Sequence, residues 1–206
     1  MKRVLWLAAA AALLPACDDG DDGAAVLFSD DFNRSSAGPD WHVSAGTSIA
    51  PAQGSPAPGL AMAVSLGDSA QTAHTELSFT ARPLTVAVDL DATTGEASGG
   101  VEIVTSAHAP LATAERFATP GGDMTFTIGA ATQTVSLPSS PGVQKVTFSV
   151  DSLGNAAWSL GDTTVLIQPG FPTAPVSIQL FTRSGTTLPG AAFPTFVFDN
   201  VVVTSP

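Results

Sequence analysis

The C-terminal stretch Phe196-Val-Phe-Asp-Asn-Val-Val-Val-Thr204 decides the fold of this chain. It is rich in β-branched and aromatic residues, which are enriched in β-strands. A second stretch of the same kind, Leu27-Phe-Ser-Asp-Asp-Phe-Asn-Arg34, lies far away near the start of the chain. We predict that the two stretches pair side by side as strands and close one β domain, so that the two ends of the domain meet at one pole.

Between these two stretches, apolar residues recur with a period close to two, which indicates strands with one buried and one solvated face. Clear examples are Leu84–Leu90, Met124–Ile128, Val146–Val150 and Val176–Leu180. Turn-forming residues separate the strands, and Asp151–Asn155 predicts a hairpin that joins Lys145–Val150 to Ala156–Leu160. No segment after residue 17 shows convincing helical periodicity, and the short segment Leu111–Phe117 is the best candidate for a helix. We therefore predict an all-β fold, a single antiparallel β-sandwich of the jelly-roll type.

The length of the chain indicates one domain, and its charge limits the kinds of molecule that it can bind. The 206 residues suffice for one domain with a sizeable core, and only 12% of them are charged. After residue 17 the chain carries 5 basic and 18 acidic residues, a net charge of −13 with histidine neutral. Nucleic acids and anionic membrane surfaces are poor partners for such a chain, and no nucleic acid is predicted to bind, because phosphate binding requires clusters of Lys and Arg. Cations and neutral ligands suit this charge better.

The N-terminal segment has the pattern of an export signal. Lys2 and Arg3 precede an apolar run, Val4–Leu14, that is shorter than the roughly 20 residues of a membrane span. It ends in Leu-Pro-Ala-Cys17, which resembles the lipobox of bacterial lipoproteins, where the cysteine is diacylated. Cys17 is the only cysteine in the chain, so an intramolecular disulfide is excluded.

These features divide the chain into three parts. We expect a signal peptide over residues 1–16, a lipidated Cys17 with an acidic tether over residues 17–25, and the β-sandwich over residues 26–206. The expected location is the bacterial cell envelope, at the inner or outer membrane, with the lipid on Cys17 as the membrane anchor.

Several short motifs carry a family resemblance. Asp30-Asp-Phe-Asn-Arg34, followed by Trp41, resembles the opening of bacterial concanavalin A-like (laminin G-like) jelly rolls, and Phe198-Asp-Asn-Val-Val-Val203 resembles their end. The resemblance spans roughly residues 27 to 204. It implies the architecture shared by laminarinases and legume lectins, and a structural Ca²⁺ between the first and last strands. Asp30, Asp31 and Asp199 match that calcium site by position.

The sequence offers little evidence for catalysis. The resemblance implies a Glu-x-Asp-x-x-Glu pattern in the glucanases of this fold, and the four glutamates here do not form it: Glu76, Glu96, Glu102 and Glu115. A Gly-x-Ser-x-Gly motif is also absent. The three histidines lie 32 and 34 residues apart, without the paired spacing of zinc ligands, so a zinc site is not predicted.

A ligand-binding surface is predicted only in outline. Trp41 and Trp158 are expected in the core. Phe181 shares the outward parity of its strand and lies close to Arg183, so these two residues are the candidates for lining a groove. Packing of Phe181 beneath a loop is the alternative.

Three functions remain open at this point. The first is a lipid-anchored, non-catalytic β-sandwich that acts in surface interaction or carbohydrate recognition, with a glycan or an envelope protein as its partner. The second is a divergent glycoside hydrolase or lyase of the concanavalin A-like fold. The third is a purely structural envelope component.

The lipid anchor can be tested by replacing its attachment site. Cys17→Ser removes the thiol that would be acylated, so we expect the protein to leave the membrane fraction and to lose incorporation of radiolabelled palmitate. Continued acylation of Cys17→Ser would contradict the lipobox interpretation.

Overall fold

The computed structural model describes residues 24–205 with gaps at 46, 52–57, 64–70, 94, 120–121, 139–141 and 185–193. The predicted signal peptide and Cys17 lie outside the described residues. The described ranges form fifteen β-strands in two antiparallel sheets. They contain no helix of the length and apolarity that a membrane span requires.

The first sheet has eight strands: β1 (Ala25–Asp30), β3 (Thr47–Pro51), β4 (Pro58–Ala63), β6 (Leu84–Ala92), β11 (Gln144–Val150), β12 (Ala156–Leu160), β13 (Thr163–Gln168) and β15 (Thr195–Ser205). Their order is β13-β12-β11-β6-β15-β4-β3, and β1 also pairs with β15. The second sheet has seven strands: β2 (Trp41–Val43), β5 (Gln71–Thr75), β7 (Ala97–Val104), β8 (Pro110–Phe117), β9 (Asp123–Ile128), β10 (Ala131–Ser136) and β14 (Ser177–Ser184). Their order is β10-β9-β8-β7-β14-β5-β2.

The pairing of the two chain ends is confirmed. β1 runs antiparallel to the second half of β15, with Asp30 opposite Val201 and Ala25 opposite Ser205. The first half of β15 pairs with β4 on the same side, while β6 pairs with β15 along its other side. A bulge between Asp199 and Val202 separates the two halves of the β6–β15 ladder. The C-terminal strand is therefore an interior strand with three partners.

The inward-facing apolar residues of the alternating strands fill the space between the sheets. Val86, Val88 and Leu90 of β6 are at most 1% exposed, and so are Ile178 and Leu180 of β14. The predicted hairpin is also confirmed, because β11 pairs with β12 across a turn in which Asp151 Oδ1 accepts the backbone N–H groups of residues 153 and 155. The two predicted core tryptophans are 4% and 1% exposed.

The helix candidate Leu111–Phe117 is wrong, because this segment belongs to β8. Ala112, Ala114 and Arg116 face inward along it. Alanine is a strong helix former and a weak strand former, so these residues hide the strand pattern when the sequence is considered alone.

A buried carboxylate joins the two sheets at the pole where the chain ends meet. Asp30 ends β1, and its two oxygens accept hydrogen bonds from the backbone N–H of Phe32 at 2.7 Å, from Arg34 Nη1 and Nη2 at 2.6 and 2.5 Å, and from Trp41 Nε1 at 2.7 Å. Trp41 belongs to β2 of the other sheet. Phe32, at φ 48°, and Phe28 pack their rings 5.5 and 5.8 Å from the Trp41 ring. The Asp-Asp-Phe-Asn-Arg motif therefore has a structural role.

Two further polar contacts cross the sandwich. Trp158 of β12 donates from Nε1 to the carbonyl of Thr127 in β9 at 3.0 Å. The buried Arg116 of β8 donates to the carbonyls of Leu90 and Gly142. Burial lowers the pKa of Arg116, and the nearby carboxylate of Asp91 partly offsets this effect.

Replacing Asp30 tests whether this carboxylate holds the sheets together. Burial raises the pKa of Asp30, but the hydrogen bonds from Arg34, Phe32 and Trp41 outweigh it and hold the pKa below its ordinary value of 3.8. Asp30→Asn leaves the donors without a charged acceptor, and we expect a loss of about 2–3 kcal/mol of unfolding free energy at pH 7. The thermal midpoint should fall by roughly 5–10 °C.

The pH dependence of this loss has a defined sign. Because the pKa is lower in the folded state, the contribution is complete above the unfolded-state pKa of about 4. It disappears as the pH falls through the folded-state pKa, so wild type and variant should converge in acid. The neighbouring Asp31→Asn removes the same charge from an exposed residue and should change the midpoint little. A midpoint of Asp30→Asn equal to that of wild type at pH 7 would refute the assigned role.

Candidate functional site

The outer face of the seven-stranded sheet carries a continuous line of polar side chains. One residue from each strand takes part, each directly opposite the next: Thr132, Thr127, Thr113, Glu102, Gln179, His74 and His42. Chain neighbours of the six residues other than Thr132, such as Ile103 and Leu180, belong to the core, which places these six residues on the outside. Thr132 is directly opposite Thr127 on the same face. With strands about 4.8 Å apart, the line is about 29 Å long. We call it the polar row.

An ion-pair network lies at the middle of the polar row and includes Glu102, one of its members. Arg183 of β14 binds Glu102 of β7 through Nη2–Oε1 at 2.5 Å and Glu115 of β8 through Nη1–Oε2 at 3.2 Å. Gln179 Nε2 donates to the second oxygen of Glu102 at 2.9 Å, and Ser98 Oγ donates to Glu115 Oε1 at 2.5 Å. Only 3% of the Glu102 side chain is exposed, whereas Arg183 is 44% exposed. The guanidinium therefore lies at the surface between two carboxylates.

The ring of Phe181 lies between the sheet and the guanidinium of Arg183. Its ring faces outward from β14, but it is only 1% exposed, and the Arg183 guanidinium carbon lies 4.1 Å from the ring centroid. Gly100 lies opposite both Phe181 and Glu115, so no side chain separates them. A Cβ at Gly100 would lie 1.9 Å from the Ala114 carbonyl oxygen. Of the two predicted groove residues, Arg183 is thus accessible and Phe181 is buried.

Three histidines meet at one end of the polar row. His42 and His74 are directly opposite each other on β2 and β5, with ring centroids 4.9 Å apart, and the His108 ring lies 4.4 Å from that of His74. Nδ1 of His42 lies 3.6 Å from Oε1 of Glu76. Burial lowers the pKa of His74, and the neighbouring His108 and His42 lower it further, while Glu76 opposes them. We call these four residues the histidine cluster.

The three aspartates predicted to hold calcium are near one another but do not form one ligand set. Both oxygens of Asp30 are occupied by four donors, so this residue does not fit a metal ligand. Asp31 is exposed, and one of its oxygens accepts the backbone N–H of Asn33. Asp199 accepts the backbone N–H of Asn200. Calcium at this pole remains a prediction, and it depends on Asp31 and Asp199.

The environment of Asp199 is unfavourable to its charge. Burial raises the pKa of Asp199, and the negative charges of Asp89, Asp31 and Asp30 raise it further, although the Asn200 N–H opposes them. This carboxylate lies in the eight-stranded sheet at the bulge in β15, opposite Asp89 of β6, whereas the polar row lies on the other sheet. The structure thus separates the predicted calcium residues from the polar network on the other sheet.

Comparison with known proteins was made on sequence and on structure. No protein-family profile and no curated protein matches the sequence. Solved structures do match. The endo-β-1,3-glucanase from Pyrococcus furiosus has a TM-score of 0.71 at 12% identity, covering 88% of this chain and 94% of the glucanase.

Two other solved structures are similar, one without a ligand and one in complex with oligosaccharides. The apo Crh5 transglycosylase has a TM-score of 0.67 at 16% identity, over 86% of this chain and 83% of the transglycosylase. LamA from Zobellia galactanivorans, in complex with laminaritriose and laminaritetraose, has a TM-score of 0.65 at 13% identity. The match covers 87% of this chain and 98% of the LamA chain. These likenesses confirm the predicted fold, a concanavalin A-like jelly roll.

Proposed function

We propose that this protein is a lipid-anchored envelope protein whose jelly-roll domain binds a carbohydrate without hydrolysing it, at the polar row. The single observation that supports the site most strongly is the network of Arg183, Glu102 and Glu115. It places charged donors and acceptors side by side on an otherwise regular sheet face. Charged side chains form strong, charge-assisted hydrogen bonds with the hydroxyl groups of a sugar.

The length of the polar row supports an extended ligand. Seven consecutive strands contribute hydrogen-bonding side chains, and four of the seven are neutral hydroxyl or amide groups: Thr132, Thr127, Thr113 and Gln179. A neutral oligosaccharide suits this composition and the acidic charge of the domain. Among the structures of similar fold, LamA was solved with laminaritriose and laminaritetraose, and Crh5 with NAG. These sugars are the first ligands to test.

The position of Arg183 supports binding rather than hydrolysis. Glycoside hydrolysis uses two carboxyl groups about 5–9 Å apart, with the scissile bond between them. Here the guanidinium contacts both Glu102 and Glu115 and occupies the space between them. A bound sugar would therefore contact the Arg183 side chain first.

The carbohydrate-binding proposal can be tested with immobilised glycans. The full-length protein in detergent is applied to an array that includes laminaritetraose and N-acetylglucosamine oligomers, with and without Ca²⁺. Losing a hydrogen bond from a charged group costs about 1.5–3 kcal/mol. Arg183→Gln should therefore weaken binding about 10- to 150-fold.

The matched control for this experiment is Lys145→Gln, which removes one positive charge from the outer face of the other sheet. Lys145 is exposed on β11, and we expect its replacement to leave binding unchanged. An absence of glycan binding under both calcium conditions would refute the proposal and would favour a purely structural envelope role.

A divergent glycoside hydrolase is the second candidate, and one specific observation favours it. Glu102 and Glu115 lie on adjacent strands, face the same side of the sheet, and share one arginine. If Arg183 moved aside when a substrate bound, the two carboxylates would face each other across it. This is the general arrangement of acid and nucleophile in such enzymes.

Release of reducing sugars from laminarin distinguishes the two candidates. We expect none above background with the wild-type protein, because Arg183 separates the carboxylates. Activity that Glu102→Gln and Glu115→Gln each abolish, with normal folding by circular dichroism, would establish the enzyme instead. Glu96→Gln serves as the control, since Glu96 lies just before the start of β7, at the opposite end from the turn that leads to β8.

A further inference from the structure

We propose that the histidine cluster binds one transition-metal cation of the zinc type, with His42, His74 and Glu76 as its first ligands and His108 as the fourth. Within the described part of the chain, the ligand atoms of His42, His74 and Glu76 all lie within 4.8 Å of one another, and the centroid of the His108 ring lies 4.4 Å from that of His74. The proposal does not depend on carbohydrate binding.

The strand register creates this site. His42 and His74 are direct cross-strand partners on the same face of β2 and β5, so their Cβ atoms are about 4.5–5.5 Å apart. Glu76 follows His74 by two residues, and its backbone N–H binds the Asp40 carbonyl at 2.9 Å, which holds it beside β2. Two adjacent segments therefore present two imidazoles and one carboxylate to a common point.

The distances suit a tetrahedral ion after a small adjustment. Zinc bonds of about 2.0–2.2 Å place neighbouring ligand atoms about 3.4 Å apart. His42 Nδ1 and Glu76 Oε1 are already 3.6 Å apart. Side-chain rotation alone can close the remaining gap, because the His42 and Glu76 side chains are 68% and 54% exposed. No movement of the sheet is required.

His108 completes the site from a different part of the sheet. It lies in the turn between β7 and β8, where the backbone N–H of His108 binds the Thr105 carbonyl, and it adopts a left-handed conformation with φ 57°. This turn directs the His108 ring to 4.4 Å from the His74 ring. A metal held by all four residues would link β2 and β5 to the turn after β7, across β14.

The donor atoms select the class of metal. Three imidazole nitrogens and one carboxylate are the ligands of Zn²⁺, Cu²⁺ or Ni²⁺, whereas Ca²⁺ and Mg²⁺ require oxygen ligands. Neutral imidazole is the form that binds a metal.

Isothermal titration with Zn²⁺ tests the proposal. The full chain, prepared without a polyhistidine tag, carries Cys17→Ser so that a free thiol cannot act as a ligand. We expect one Zn²⁺ per chain, and a rise in the thermal midpoint with zinc concentration. His74→Gln should weaken binding by more than the roughly 10–100-fold that loss of an outer-shell partner produces.

Matched variants make the result decisive. His42→Gln and Glu76→Gln alter exposed side chains, so they should fold normally and also weaken binding. His108→Gln should reduce the affinity less and change the absorption spectrum of bound Co²⁺, because a water would replace the fourth imidazole. Asp162→Asn, in the turn between β12 and β13, should have no effect.

Two outcomes would overturn the proposal. One is the lack of saturable zinc binding by the protein with intact histidines. The other is a zinc affinity that His42→Gln and Glu76→Gln leave unchanged, whatever happens in His74→Gln. Because neither outcome involves a sugar, failure here is distinct from failure of the carbohydrate proposal.

Discussion

The buried carboxylate of Asp30 is the contact on which the closed end of this sandwich depends. It ends a strand of one sheet and accepts a hydrogen bond from the indole of Trp41, which belongs to the other sheet. Arg34 completes the arrangement by binding both oxygens and also the carbonyl of Ala37. The rings of Phe28 and Phe32 pack against the indole of Trp41. A buried charge requires full pairing, so this short motif permits only one position of β1 relative to β2.

The outer face of the seven-stranded sheet carries both the proposed carbohydrate contacts and the proposed metal ligands. The seven-stranded sheet places Glu102, Gln179 and His74 in one line, and the side-chain hydrogen bond between Gln179 and Glu102 connects neighbouring members. His74 lies directly beside Gln179. The proposed metal ligands and the proposed carbohydrate contacts are therefore neighbours on one rigid surface, and a cation at the histidines would lie close to an acidic network.

Much of the architecture could be predicted from the sequence, but little of the site could. The pairing of β1 with β15 follows from the β-branched and aromatic composition that the two stretches share. A period of two identifies which residues of a strand face inward, and it sufficed for the core. It does not say which strands are neighbours or in what register. His42, His74 and His108 are far apart in sequence, and only the β2–β5 register and the turn after β7 bring them together. The pairing of Glu102 with Glu115 likewise depends on the β7–β8 register. Phe181 has outward parity, yet Arg183 covers it, which no alternation rule reveals.

The interior position of the last strand has a consequence for the order in which the domain forms. β15 contains the final eleven residues of the described chain, and it pairs with β1, β4 and β6. Until those residues have been synthesised, the eight-stranded sheet lacks the strand that joins β6 to β1 and β4. Contacts between the first and last strands also have the greatest sequence separation available, which slows folding. Until β15 pairs, the edges of β1, β4 and β6 that face it are unpaired, and unpaired strand edges make a folding intermediate prone to aggregation.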